Sequence, residues 1–168
     1  TVNEVTVLPN ICPNLAQGVI RIDSLNGGTR PFTYSINNGQ TQNFGFFNRL
    51  TSGRYTINIV DANQCPGVTV DTLLIEPPKI VAVFDTTAFR GVKCAGTGDC
   101  TGQARILLSG GTDPQNRFAV RWESGEITQN SLQATADSLC AGTQQVRITD
   151  GNGCRDTLTF SIQSPTAI

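Results

Sequence analysis

The feature that most constrains this chain is an internal duplication. Gly27-Gly28-Thr29 is followed by Phe32, Tyr34, Ile36 and Gly39, and Gly110-Gly111-Thr112 is followed by Phe118, Val120, Trp122 and Gly125. Further on, Leu50, Gly53, Tyr55, Ile57, Ile59, Asp61, Asn63 and Cys65 match Leu139, Gly142, Gln144, Val146, Ile148, Asp150, Asn152 and Cys154. Each copy then closes on a strand-like run and a proline, Ile75-Glu76-Pro77-Pro78 in the first and Ile162 to Pro165 in the second. Self-similarity at such a period is the signature of beads in series, each a supersecondary unit of its own. The boundary is expected near residue 78, which gives domains of 1–78 and 79–168.

Within each copy apolar residues alternate with period two, as in Tyr55, Ile57, Ile59 and again in Ala104, Ile106, Leu108 or Leu158, Phe160, Ile162. That period belongs to half-buried strands. Between the runs lie Asn-Gly, Gly-Gly and Asp-Gly-Asn-Gly segments, whose residues tolerate the positive φ of tight hairpins. Several short strands in each of two copies, in 168 residues with 17 Gly, predict an all-β protein of two tandem immunoglobulin-like antiparallel β-sandwiches. Trp122 is the candidate core tryptophan of the second.

Composition narrows the function. Twelve basic residues against thirteen acidic give a formal charge of −1, which lacks the electrostatic footprint of a nucleic-acid binder. The chain has no His, which removes the commonest general base and metal ligand, so a non-enzymatic protein without cofactors is expected. No run approaches the ~20 apolar residues of a membrane-spanning helix, so no membrane insertion of this segment is expected. A start without Met and an end on Ser-Pro-Thr-Ala-Ile predict a segment of a longer chain whose export is directed elsewhere.

Six Cys without a metal-type C-x-x-C pair predict disulfides and an extracytoplasmic compartment. If the first copy folds alone it must pair Cys12 with Cys65, and by position Cys94 and Cys154 are their counterparts. Cys100 and Cys140 fall near Ala16 and Thr51 of the first copy, so both are absent there together, which predicts that they pair with each other. Such bridges would enclose most strands of each bead, leaving edge strands to peel under tension. With the stiff Pro77-Pro78 connector, a semi-rigid rod is expected.

With these residues in view, the chain resembles the SprB-type repeat of surface adhesins and other secreted proteins of gliding and related Bacteroidota. The resemblance rests on the first copy's GGT, PFTYS, NNG and SGRYTINIVDANQC and on the second copy's CAGTGDCTGQA, GGT and LCAGTQQVRITDGNGC. It implies immunoglobulin-like beads strung on the bacterial cell surface, with neighbouring repeats of the same chain as partners, in gliding motility or surface attachment. The chain departs from the pattern at Ile36, where the second copy has Trp122, at Gln144, in place of Tyr55, and at the longer loop Asp113 to Arg117.

Candidate sites are few. Asp61-Ala62-Asn63 and Asp150-Gly151-Asn152 look like the start of a calcium loop, but Ser161 occupies the twelfth position of the second, where an acidic ligand is needed. Turn capping by the Asp and Asn side chains is the simpler expectation. Glu123 and Glu126, flanking Ser124-Gly125, are expected to sit on a solvated hairpin rather than to serve as a glycosidase pair. Lys79 and Lys93, the only lysines, fall at loops or strand ends, away from a buried crosslink. Phe44, Phe46 and Phe47 form an aromatic segment in which a strand must send neighbours to opposite faces, so one of the adjacent pair is expected outside, free to stack on a glycan. Arg121 and Arg147, out of phase with Trp122 and Ile148, are expected to share an outer face that attracts an acidic surface polysaccharide. The alternatives to an adhesin stalk are a carbohydrate-binding module pair of a secreted enzyme and a structural filament subunit.

Overall fold

The computed structural model describes residues 1–65, 67–95, 98–123, 126–129 by their backbone, and 132–166. The chain divides into two compact units, Thr1–Pro77 and Pro78–Ile168, one residue before the boundary expected from the proline run. Both are antiparallel sandwiches of immunoglobulin type.

In the first unit, β1 (Val2–Leu8), β2 (Gly18–Leu25) and β4 (Phe46–Leu50) form one sheet in the order β1-β2-β4. The strands β3 (Thr33–Ile36), β5 (Gly53–Val60) and β6 (Val68–Leu74) form the other in the order β3-β5-β6. The second unit repeats this plan. Its β7 (Ile80–Phe84), β8 (Gly102–Gly110), β10 (Glu126–Gln129) and β11 (Gln133–Leu139) form a sheet in the order β10-β11-β8-β7. Facing it are β9 (Phe118–Trp122), β12 (Gly142–Asp150) and β13 (Arg155–Ile162), in the order β13-β12-β9. This is the strand order of a constant-type immunoglobulin domain, and among the described residues the first unit has no counterpart of the edge strand β10.

The period-two residues build both cores. Ile20, Ile22, Phe47, Ile57, Ile59 and Leu74 fill the first, and a larger set that includes Ile106, Leu108, Val146, Ile148 and Ile162 fills the second. Each fully buried aliphatic side chain contributes about 1.5–3 kcal/mol relative to exposure. Trp122 is buried there, edge-on to Phe160 with ring centroids 5.9 Å apart.

The departure at Gln144 is absorbed locally. In the first unit the Tyr55 hydroxyl donates to the carbonyl of Thr51 at 2.9 Å, the corner bond that ties the start of the sixth immunoglobulin strand to the chain before it. In the second unit Gln144 Nε2 donates to the carbonyl of Cys140 at 3.0 Å. Cys140 occupies the place of Thr51, so an amide replaces a phenol and reaches the same acceptor.

Candidate functional site

The Asp-x-Asn-x-Cys turns are clasps. Asp61 Oδ2 accepts the backbone N–H of Thr29 at 3.0 Å, while Oδ1 accepts those of Asn63 at 3.1 Å and Cys65 at 3.2 Å. Asp150 does the same with Thr112 at 2.7 Å, Asn152 at 3.0 Å and Cys154 at 2.9 Å, and adds the Thr112 hydroxyl at 3.0 Å. Asn63 and Asn152 close the ring by donating to Thr29 Oγ1 and to the carbonyl of Thr112. The Gly-Gly-Thr segments are thereby pinned to the turns at the same pole of the sandwich. Gly111 sits at φ +75°, a backbone conformation that strains any L side chain, and a Cβ there would also crowd Asp150 Oδ2 at 3.1 Å. The hydrogen bond from Thr29 leads those that hold the Asp61 carboxyl below its usual range. For Asp150, burial pushes the carboxyl up, but the donors from Thr112, Cys154 and Asn152 outweigh it and the net shift is downward. Both carboxylates are occupied by backbone donors, as turn capping requires. Among the described residues no group of three or more His, Cys, Asp or Glu is placed to hold a metal ion.

The longer loop of the second unit carries a site that sequence reasoning missed. Asp113 is buried, accepts the N–H groups of Gln115 and Arg117, and forms an ion pair with Arg117 Nε at 2.8 Å. The Arg117 guanidinium, with these backbone donors, lowers the Asp113 carboxyl to about 2. The i, i+4 spacing of the two opposite charges was the available signal.

The cysteines correct the expected pairing in part. Cys100 and Cys140 form a disulfide. Cys65 and Cys94 are exposed free thiols, so neither Cys12–Cys65 nor Cys94–Cys154 exists. The reason is topological. Asn10 binds Gly18 N and Ser52 Oγ, which places the β1–β2 connection carrying Cys12 at the start of β5, whereas Cys65 follows the end of β5. Eight residues of strand separate the two poles by about 26 Å, against the 4.4–6.8 Å between Cα atoms that a disulfide spans. In the second unit Cys94 lies at the Gly102 end of β8, where Lys93 N donates to Thr101 Oγ1, and Cys154 lies with Thr112 at the Gly110 end. The expected closure of most of each bead by Cys12–Cys65 and Cys94–Cys154 is therefore absent, while the Cys100–Cys140 disulfide locks a 40-residue separation in the second unit.

The aromatic segment is built to present two rings. Gly45 packs so closely on the core that a Cβ would lie 2.9 Å from both Ile22 Cβ and Tyr34 Cε1, and its carbonyl accepts from Ile22 N at 2.8 Å. With Gly45 drawn in, its neighbours point out. Phe44 is 60% and Phe46 42% exposed, while Phe47 is buried, as strand alternation demands. Gln42 Nε2 fixes the segment by donating to the carbonyls of Phe44 and Phe46.

Arg121 and Arg147 stand directly opposite one another in the β9–β12 pairing, both exposed on the outer face. Arg155 joins them from β13 in a shallow cleft of about 320 Å³ whose lining includes Ala119, Thr149 and Thr157. The phase set by Leu158, Phe160 and Ile162, carried back to the start of β13, was enough to find it. Of the carboxylate candidates, Glu123 is exposed, while Ser124, Gly125 and the Glu126 side chain lie outside the described residues. No described helix is long and apolar enough to cross a membrane.

No protein-family model matches the chain, and no curated protein matches it. Among solved structures it is similar to the C-terminal 282-residue fragment of intimin, solved in complex with the intimin-binding domain of the translocated intimin receptor. That match has 15% identity and a TM-score of 0.40 over 96% of this chain and 64% of that one. It is also similar to the human desmocollin-1 ectodomain, at 12% identity and a TM-score of 0.40 over 93% of this chain and 34% of that one. Invasin, a bacterial integrin-binding protein, matches at 15% identity and a TM-score of 0.32 over 96% of this chain and 39% of that one. The chain spans less than two thirds of each of these solved chains.

Proposed function

We propose that this chain is a non-enzymatic segment of a bacterial cell-surface adhesin, two immunoglobulin-like beads that act as spacer and contact surface. The observation that carries it is the contrast between the inside and outside of the two copies. Both close the same clasp, Asp61 on Thr29 and Asp150 on Thr112, and both keep the same corner bond, yet their outer faces differ. One exposes Phe44 and Phe46, the other Arg121 and Arg147. A duplicated scaffold that keeps these bonds and varies at its surface suits a molecule that must reach and touch. The Cys100–Cys140 disulfide supports an oxidising, extracytoplasmic location, and the resemblance to SprB-type repeats supports surface attachment, with gliding as its specific case. Antibodies against the chain should label intact, unpermeabilised source cells and reduce their attachment to a surface. Labelling only after permeabilisation would overturn the proposal.

A further inference from the structure

The outer face of β9, β12 and β13 gathers charge in a protein whose net charge is −1. Arg121 and Arg147 are register partners, which brings their Cβ atoms to about 5 Å, and like charges directly opposite on a sheet repel. Arg147 pairs with Thr157 and Thr149 with Arg155, so the third guanidinium rises one diagonal step away. Ala119, Thr149 and Thr157 are short, and they leave a trough among the three long arms. Asp156 is the one acidic residue in the lining, and among the described residues none of the three arginines is in an ion pair. Arg147 Nε donates to Gln145 Oε1, which steadies that arm and leaves its other donors facing out.

The first unit is a built-in comparison. By sheet register, Ser35 stands where Arg121 does and Asn58 where Arg147 does, since Ser35 pairs with Asn58 as Arg121 pairs with Arg147. Gly67 falls in the place of Arg155. Those three positions are uncharged, and Asn58 is bonded to Asn38 and to Thr69. The three corresponding positions thus carry, among the described residues, three guanidinium groups outside any ion pair in one bead and no charge in the other.

We propose that the Arg121, Arg147 and Arg155 trough binds the carboxylate groups of an acidic polysaccharide, which deepens the adhesive function and rests on it. A guanidinium fork matches a planar carboxylate with two parallel hydrogen bonds, an anion between Arg121 and Arg147 relieves their repulsion, and the Thr149 and Thr157 hydroxyls suit sugar hydroxyls. An open trough suits a polymer that enters and leaves along its length.

The test is binding of the full chain to immobilised alginate, a polyuronate, with neutral dextran and double-stranded DNA as comparators. Binding to alginate that weakens as salt rises, and falls at least tenfold in an R121S/R147N/R155G variant with an unchanged melting curve, is the expected result. An R121K/R147K/R155K variant keeps the charge and removes the fork, and it should bind several-fold more weakly than the native chain. Equal binding by the Lys variant, or equal or tighter binding to DNA, would reduce the trough to unspecific charge and overturn the site. Absence of alginate binding would overturn it as well. Surface labelling of cells is independent of these results, so the site and the adhesin assignment fail separately.

Discussion

Asp150 Oδ2 holds both the backbone N–H and the hydroxyl of Thr112, 38 residues earlier, at 2.7 and 3.0 Å. This pair joins the turn after β12 to the Gly-Gly-Thr segment after β8, so it fastens one sheet to the other at that pole. Removing the carboxylate strands several donors at once, and a buried donor left unsatisfied costs about 1–3 kcal/mol. Asp150→Ala should destabilise the second unit by at least 2 kcal/mol on that ~1–3 kcal/mol scale per stranded donor. Asp61→Ala should cost the first unit less, because its clasp is exposed to water. Urea denaturation of the two variants measures the difference, and equal losses would mean that the clasp depth is irrelevant.

Gly151 and Asp113 form a second dependency. A Cβ on Gly151 would lie 2.1 Å from Asp113 Oδ2, whereas the first copy has Ala62 at this position and lacks the longer loop that brings Asp113 in. Gly151→Ala should therefore cost about 1–3 kcal/mol, as overpacking does. In an Asp113→Ala background the same change should cost much less. A double-mutant cycle on thermal unfolding reads the coupling, and strict additivity would show that the two do not meet.

Acid should weaken the second unit in a defined window. The Arg117 guanidinium and the loop N–H groups hold Asp113 at about 2, below the ordinary 3.8, and Asp150 is held low by its donors against the effect of burial. A depressed carboxyl in the folded state means that the unfolded chain binds more protons, so stability is present above about pH 4 and lost as pH falls toward about 2. Unfolding midpoints should be flat from pH 7 to 5 and decline below 4. Asp113→Asn should flatten the lower part of that decline, and an unchanged slope in this variant would count against the ion pair as its source.

Period two was sufficient for the strands that build the site, and duplication was sufficient for the two-bead plan, because both depend on local alternation. The opposite fates of Phe46 and Phe47 follow from the same alternation. Cysteine pairing does not. Whether Cys12 and Cys65 share a pole depends on which end of β5 meets the β1–β2 connection, a property of strand order that the repeat pattern does not carry. The Gln144 substitution shows the converse case: a change of residue type in the sequence leaves the bond to Cys140 intact, because side-chain reach matters there and chemical kind does not.

The thiols give the most direct check on this topology. Cys65 and Cys94 are exposed and free, whereas Cys100 is tied to Cys140. Alkylation of the native protein with iodoacetamide, without reductant, should label Cys65 and Cys94, and peptide mapping should recover a linked Cys100–Cys140 fragment. Modification of Cys100 or Cys140 would overturn that bridge, and protection of Cys65 together with Cys12 in one linked fragment would restore closure of the first bead. The bridge has an energetic signature too. A sequence separation of 40 corresponds in the chain-entropy description to about 4 kcal/mol, so the paired change Cys100→Ala with Cys140→Ala should lower the second unit's stability by about that amount. Cys65→Ser and Cys94→Ser close no loop and should leave both units within about 0.5 kcal/mol of the native protein, the usual range for exposed positions. A large loss from either Ser variant would mean that its thiol is engaged after all.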